Sequence, residues 1–194
     1  MEYNKEKREI LLKRKASILD KFALDFTKIL EKYTDYVIIS GYVSILLGRT
    51  RVTEDIDVYI KRISKAKFEQ LYNELIKSGF WCINAEKADN IFSYLEDKLA
   101  VRFARENTAV PNFKVKFPKR KVDEETFDDF ITVILPEGKL KISSLERQIA
   151  FKRYYLKAEK DIEDASHIEE LFKENLDYSK INKLKWLTQN FLNI

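Results

Sequence analysis

The sequence is poor in glycine, and this scarcity excludes several kinds of nucleotide-binding site. Its 194 residues include four glycines, where average usage near 7% predicts about fourteen. Neither a Gly-x-Gly-x-x-Gly dinucleotide loop nor a Gly-x-x-x-x-Gly-Lys phosphate loop is present. Nucleotide binding through a glycine-rich loop is therefore excluded, as are collagen-like and flexible-linker sequences.

Cysteine and histidine are each represented once. A single cysteine, Cys82, excludes an internal disulfide and a cysteine-based zinc site, and we interpret it as an inert core residue. A single histidine, His167, excludes a histidine-pair metal site. We interpret this histidine as structural rather than catalytic.

Long apolar runs are absent too. No stretch reaches the roughly 18 apolar residues that a membrane span requires. The mixed-charge N-terminus lacks the apolar segment of a signal peptide. We therefore expect a cytoplasmic protein with no membrane partner. The net charge of +4 slightly favours anionic partners.

The apolar residues that are present predict an α+β fold. We expect a mixed β-sheet of about five or six strands with flanking helices over residues 1–143, and a C-terminal helical region over 144–194 packed on it. A long amphipathic helix is predicted over 4–33. Ser143 is predicted to cap the first C-terminal helix, with Glu146 completing the capping box. The predicted strands cover residues 36–40, 55–60, 80–85, 99–105 and 112–118 and the hairpin 131–142.

Asp55 and Asp57 are the most informative pair of residues. In the alternating segment 55–60, both carboxylates lie on one face with Cα atoms about 6–7 Å apart, while Ile56 and Val58 face the core. Two negative charges so close favour a cation beside them. Hard oxygen ligands suit Mg²⁺ or Mn²⁺, so the sequence predicts that these aspartates hold a metal ion.

Ser40 and Gly41 follow a buried strand and begin a short helix. Backbone N–H groups and a hydroxyl at such a junction can bind a phosphate. Gly41 would let that phosphate approach the backbone closely. The sequence therefore predicts a phosphate site beside the metal site, within one strand–helix–strand unit.

These features together resemble the nucleotidyltransferase superfamily of the DNA polymerase β type, and particularly its minimal, abortive-infection-type toxin branch. In that branch Gly-Gly-x-Ala is followed by Gly, Arg-x-Thr and Asp-Ile-Asp. The matching residues here are Ser40-Gly41-Tyr42-Val43, Gly48, Arg51-Val52-Thr53 and Asp55-Ile56-Asp57. A later segment resembles the branch's C-terminal helical motif, a Lys followed by Lys/Arg-Asp-x-x-Asp. It comprises Lys152 and Lys160-Asp161-Ile162-Glu163-Asp164.

The resemblance implies transfer of a nucleoside monophosphate from an NTP to a hydroxyl of an acceptor, which could be tRNA or protein. It implies Mg²⁺ or Mn²⁺ as cofactor, with Asp55 and Asp57 as catalytic and metal-binding residues. The resemblance to a toxin branch also makes an antitoxin protein a possible partner. The residues implied in nucleotide binding are Ser40, Gly41, Arg51, Thr53 and Lys152. On one helix face, Lys157, Asp161 and Asp164 would form ordinary ion pairs or line the active cleft, with Lys160 beside them.

One departure from the family pattern matters. The superfamily places a third carboxylate on a later strand, where this sequence has Lys114 and Lys116. Asp161 is our first expectation for that carboxylate and Glu106 the second. The two lysines would instead contact phosphates or lie exposed on an edge strand.

A second hypothesis is therefore a catalytically weakened protein of the same fold that binds nucleic acid or another partner. A basic cluster could follow an RNA backbone; it consists of Lys114, Lys116, Lys119, Arg120 and Lys121. The surroundings of Asp55 and Asp57 distinguish the hypotheses. A third carboxylate nearby supports the catalytic hypothesis. Lysine ammonium groups in that position mean that the catalytic hypothesis should be abandoned.

Overall fold

A computed structural model describes residues 1–191 of the chain. The predicted C-terminal region therefore has its last three residues, 192–194, outside the described part. The strands are β1 (Glu2–Asn4), β2 (Glu9–Leu11), β3 (Tyr36–Ile39), β4 (Asp55–Ile60), β5 (Phe80–Cys82), β6 (Val101–Arg105), β7 (Asn112–Lys116), β8 (Phe130–Leu135) and β9 (Gly138–Ser143). The helices are α1 (Ile18–Leu30), α2 (Gly41–Leu46), α3 (Lys65–Lys77), α4 (Ala88–Glu96), α5 (Lys121–Glu124), α6 (Leu145–Phe151), α7 (Glu159–Phe172) and α8 (Tyr178–Phe191).

All nine strands of the described residues belong to one mixed sheet. Their order is β1-β2-β8-β9-β3-β4-β7-β6-β5. The central strand β4 runs antiparallel to β3 and parallel to β7. The predicted α+β fold with a mixed sheet is confirmed, and the predicted count of five or six strands is wrong.

The additional strands come from the N-terminal segment, where a single helix over 4–33 was expected. Residues 2–4 and 9–11 instead form a small antiparallel ribbon, and Ile10 pairs with Val133 of β8 and is fully buried. The helix α1 begins only after Ser17, whose hydroxyl accepts from the backbone N–H of Asp20. Long-range strand pairing has overridden a local helical periodicity.

One face of the sheet packs against α1 through stacked aromatic side chains. Phe26 of α1 stacks on Phe113 of β7 with ring centroids 4.1 Å apart. Phe22 and Phe80 extend the same cluster. Because side chains alternate along a strand, this face carries Ile56 and its buried neighbours, and the opposite face carries the polar residues of β4.

The C-terminal helices follow directly on the sheet. Ser143 is the last residue of β9, and the N-cap of α6 is Ser144, whose hydroxyl accepts from the backbone N–H of Arg147. The expectation of Ser143 as N-cap is thus displaced by one residue, because β9 continues its pairing with Phe130 as far as Ser143. None of the helices in the described part of the chain combines the length and apolar character that crossing a bilayer demands.

Candidate functional site

Strand β4 presents Asp55, Asp57 and Tyr59 on the polar face of the sheet. Burial alternates along the strand, with Ile56, Val58 and Ile60 fully buried and the intervening residues partly exposed. On the side of β3, Ile39 is the partner of Asp57. The two carboxylates therefore share one face, as their spacing predicts.

The neighbouring strand β7 places lysines beside both aspartates. The parallel register aligns Lys114 with Asp57 and Lys116 with Tyr59. The ammonium of Lys116 lies 2.5 Å from Oδ1 of Asp57, and that of Lys114 lies 3.9 Å from Oδ2 of Asp55. Strand β7 lies between β4 and β6, so the alternative of exposed lysines on an edge strand is wrong.

No third carboxylate of the described residues joins this pair. Among residues 1–191, no group of three or more Asp, Glu, His or Cys side chains could hold a metal ion. The expectation that Asp161 or Glu106 completes the set is therefore wrong. Asp161 is paired with Lys152, and the backbone N–H of Glu106 donates to the carbonyl of Gly79. Two carboxylates that already face ammonium groups do not fit the oxygen-rich ligand set of Mg²⁺.

The loop that joins β3 to α2 has an unusual backbone at Ser40. This residue has φ of 67° and ψ of −139°, a region that residues other than glycine avoid. The resemblance places a glycine at this position, and the serine retains a glycine-like conformation. Its hydroxyl does not cap α2.

Gly41 packs directly against the guanidinium of Arg51. A Cβ atom at Gly41 would overlap Nη2 of Arg51 and lie 3.3 Å from its Cζ. A close approach to the Gly41 backbone does exist, but it is made by this arginine rather than by a phosphate. The position of the Arg51 guanidinium therefore explains why residue 41 is a glycine.

Asp164 of α7 holds this arginine in place. Arg51 donates from Nε to Oδ1 at 3.1 Å and from Nη2 to Oδ2 at 3.0 Å. Lys152 donates to the same carboxylate at 2.7 Å, and Arg49 also donates to it. Burial raises the pKa of Asp164, but its ion pairs with Lys152 and Arg51 outweigh burial and lower the pKa overall. The carboxylate is therefore charged and compensated by three cations.

The C-terminal motif thus forms a buried ion network that fastens α7 to the loop after α2. The side chains of Lys152 and Asp164 are fully buried. Lys160 takes part through its carbonyl, which accepts from Arg49 at 2.8 Å. Lys157 does not share the helix face of Asp161 and Asp164, because it has φ of 60° and precedes α7.

Arg49 is a residue of this network that the sequence reasoning missed. It also pairs with Glu163, so it bridges two acids of the same helix. In the local sequence, the only feature that points to a role for Arg49 is its positive charge in the loop after Gly48. That signal cannot identify α7 as the partner, since more than a hundred residues separate them.

The remaining predicted residues have structural partners. The hydroxyl of Thr53 donates to the carbonyl of Asp55 at 3.0 Å and closes the turn before β4. His167 contacts the carbonyl of Leu47 through Nε2 at 3.2 Å. Cys82 is buried, and burial raises the pKa of its thiol. In the basic cluster, Arg120 pairs with Asp123. Together with Lys114 and Lys116, three of the five members of the cluster therefore face carboxylates.

Two solved structures are similar to this chain over most of its length. One is an antigenic nucleotidyltransferase-like protein from Paracoccidioides brasiliensis, with 19% identity, a TM-score of 0.53, and coverage of 89% of this chain and 87% of that one. The other is the antibiotic-resistance factor ANT(2'')-Ia, with 13% identity, a TM-score of 0.54, and coverage of 89% and 92%. No protein-family model and no curated protein sequence matches the chain. The similarity shows a nucleotidyltransferase-like fold.

Proposed function

We propose that this chain is a nucleotidyltransferase-fold protein that acts by binding a partner, with metal-dependent nucleotide transfer weakened or lost. The observation that carries this proposal is the 2.5 Å contact between Lys116 and Asp57, on the strand where the superfamily pattern places a third carboxylate. Except for Lys160, each charged residue of the predicted site has an oppositely charged partner within the chain. Such residues stabilise the fold and are already neutralised before any substrate arrives.

The partner that we expect is a protein rather than a nucleic acid. Affinity for nucleic acid depends on cations that are free to neutralise phosphates. Lys114, Lys116 and Arg120 face carboxylates instead, which leaves Lys119 and Lys121 as the members of the basic cluster with no ion pair among residues 1–191. Two lysines provide little of the charge needed to follow an RNA backbone.

The proposal is tested by incubating the protein with each labelled NTP, Mg²⁺ or Mn²⁺, and total tRNA or cell lysate. The matched control is the variant Asp55→Ala/Asp57→Ala. We expect no more label in tRNA or protein with the native chain than with the control. Incorporation that the double substitution abolishes would contradict the proposal and establish transfer.

Metal-dependent transfer is the second candidate, and a specific observation favours it. Asp55 and Asp57 share one face of β4, and β3, which pairs with β4, leads directly into Ser40 and Gly41. In this candidate the two aspartates are catalytic and an NTP binds near the loop after β3. The nucleotide-binding residues would be Ser40, Gly41, Arg51, Thr53 and Lys152, with Asp161, Asp164 and Lys160 near the cleft.

The acceptor in the second candidate is an RNA or protein hydroxyl, and the protein would be the toxin of a toxin–antitoxin pair. A bound Mg²⁺ would supply positive charge at the transferred phosphate. This candidate requires Lys116 to leave Asp57 before a metal ion can bind there. It therefore also predicts that nucleotide and Mg²⁺ together raise the melting temperature of the native chain but not that of Asp55→Ala/Asp57→Ala.

A further inference from the structure

We infer that the protein partner docks, through a segment rich in acidic and apolar residues, on a surface around the π-helical segment Lys152–Leu156. This surface, which we call the aromatic–basic surface, is formed by Arg120, Tyr154, Tyr155, Leu156, Lys185 and Trp186. Because it names the class of segment that the partner presents, this inference rests on the proposed function.

Side-chain contacts join three segments of the chain at this surface. Cζ of Arg120 lies 5.5 Å from the ring centroid of Tyr155, and Nζ of Lys185 lies 4.9 Å from that of Tyr154. The ring of Tyr155 also packs against Phe151, with centroids 4.7 Å apart. The π-helical segment is therefore flanked by the chain that leads into α5 and by α8. Such segments are rare and occur frequently at functional sites.

The three segments carry positive charge and no acidic residue. Residues 113–122, residues 151–158 and α8 together contain eleven lysines and arginines, whereas Asp and Glu are absent from all three. Six of the eleven form ion pairs with acids from other parts of the chain. A partner with Asp and Glu side chains is complementary to this charge and is steered towards it. Five lysines have no ion pair among residues 1–191, namely Lys119, Lys121, Lys157, Lys183 and Lys185.

Exposed apolar groups lie beside these charges. Leu156 is 39% exposed, and Trp186, which follows Lys185 in α8, is 56% exposed. Tyrosine, tryptophan and arginine are the residue types in which the binding energy of protein interfaces is concentrated, and all three are present here. The segment that suits this surface therefore combines acidic side chains with apolar ones.

A protein segment suits the surface better than a nucleic acid. Single-stranded nucleic acids bind aromatic side chains by stacking bases on them, and the rings of Tyr154 and Tyr155 already pack against side chains of this protein. Leu156 is aliphatic, and its exposed area is removed from water most favourably by apolar side chains of a partner. A phosphate backbone offers no such groups.

The test measures the binding of a synthetic peptide to the full chain by fluorescence anisotropy, without NTP or metal. The probe is a labelled amphipathic peptide built from Asp, Glu, Leu and Phe, and the matched control peptide has Asn and Gln in place of every acidic residue. We expect saturable binding of the acidic peptide that weakens as the salt concentration rises. The neutral peptide should bind about 10-fold more weakly or worse.

A charge-reversal variant locates the binding on the aromatic–basic surface. Lys183→Glu/Lys185→Glu should weaken binding of the acidic peptide about 10-fold. Lys67→Glu/Lys77→Glu makes the same change in net charge at exposed positions of α3 and should weaken binding by about 2-fold or less.

A second variant keeps the inference falsifiable if the charge reversal disturbs the fold. Leu156→Ala should weaken binding of the acidic peptide by about 3- to 10-fold, because it removes apolar area that the peptide buries. Ile76→Ala truncates a side chain that is 42% exposed on α3 and should leave the affinity unchanged.

Three outcomes would overturn the inference. They are binding that does not saturate, equal effects of the surface variants and their α3 controls, and an oligoribonucleotide that binds the surface more tightly than the acidic peptide. Label incorporation from NTP tests the proposed function separately. Neither label nor peptide binding would refute the acidic partner alone, whereas label incorporation together with peptide binding would refute the loss of transfer alone.

Discussion

Replacing Gly41 by alanine tests whether this glycine is required by Arg51 or by a phosphate. The added Cβ would overlap the guanidinium and lie 3.3 Å from its Cζ, so the arginine must move. Movement breaks the paired hydrogen bonds of 3.1 and 3.0 Å from Arg51 to Asp164. Asp164 keeps Lys152 and Arg49 as partners, so the carboxylate stays charged but less well compensated.

The expected cost follows from these contacts. A hydrogen bond to a charged group contributes about 1.5–3 kcal/mol, and replacing glycine by alanine in a helix returns about 0.5–1 kcal/mol. With both bonds lost, we expect Gly41→Ala to lower the free energy of unfolding by about 2–5 kcal/mol, measured by urea denaturation at 25 °C. At this chain length, that loss lowers the melting temperature by about 2–4 °C per kcal/mol.

A double-mutant cycle separates the two explanations of Gly41. In an Arg51→Met background the alanine no longer displaces a bonded guanidinium, so its cost should fall below about 0.5 kcal/mol. Equal costs in both backgrounds would refute the packing explanation. A Gly41→Ala variant as stable as the native chain would refute it as well, and would leave phosphate approach as the reason for this glycine.

The remaining predictions concern Ser40, Asp164 and the two lysines of β7. Ser40→Gly should raise the free energy of unfolding by about 0.5–2 kcal/mol in thermal or urea denaturation, because glycine adopts φ of 67° without strain; Ser40→Ala, which keeps the Cβ, should not, and equal effects of the two would refute the strain argument. Asp164→Asn should cost about 3–5 kcal/mol, because the fully buried Lys152 loses its closest carboxylate and Arg51 loses its ion pair, whereas Glu163→Gln at an exposed position should cost less than about 0.5 kcal/mol. Because burial raises the pKa of Asp164 but its cationic partners lower it overall, the stability that it provides is complete above about pH 4 and is lost as the pH falls further. Asp164→Asn should therefore flatten the loss of stability in acid, measured by urea denaturation between pH 2 and 6; a variant with an unchanged acid profile would contradict this. Finally, Lys114→Gln/Lys116→Gln should bind Mn²⁺ more tightly than the native chain in electron paramagnetic resonance titrations, since two uncompensated carboxylates attract a cation; equal binding would show that the lysines do not exclude the metal.

Much of the fold could be predicted because its signals are local. The alternation of Asp55–Ile60 predicts β4 correctly. The segments that were misread depend on distant partners. The strand β2 exists because Ile10 pairs with Val133, and α4 was not predicted, although its apolar residues pack under β6.

The chemistry of the candidate site also depends on residues that are distant in the sequence. Period-two alternation is sufficient to place Asp55 and Asp57 on one face, and the structure agrees. What those carboxylates can do depends on the neighbouring strand, and that neighbour comes from more than fifty residues further along the chain. The parallel register brings Lys114 and Lys116 onto the same face, whereas a one-residue shift would place Val115 there and turn both lysines towards the core.

The charge at this site is therefore set by a long-range strand register and not by the Asp-x-Asp motif. The same reasoning applies to the C-terminal motif, whose Asp164 could serve a substrate if it were free but instead pairs with Arg49, Arg51 and Lys152. In both places a lysine or arginine from a distant part of the chain stands where a metal ion or a substrate would otherwise interact. A motif predicts which groups meet at a site, and the residue opposite each group determines whether that group is available for chemistry.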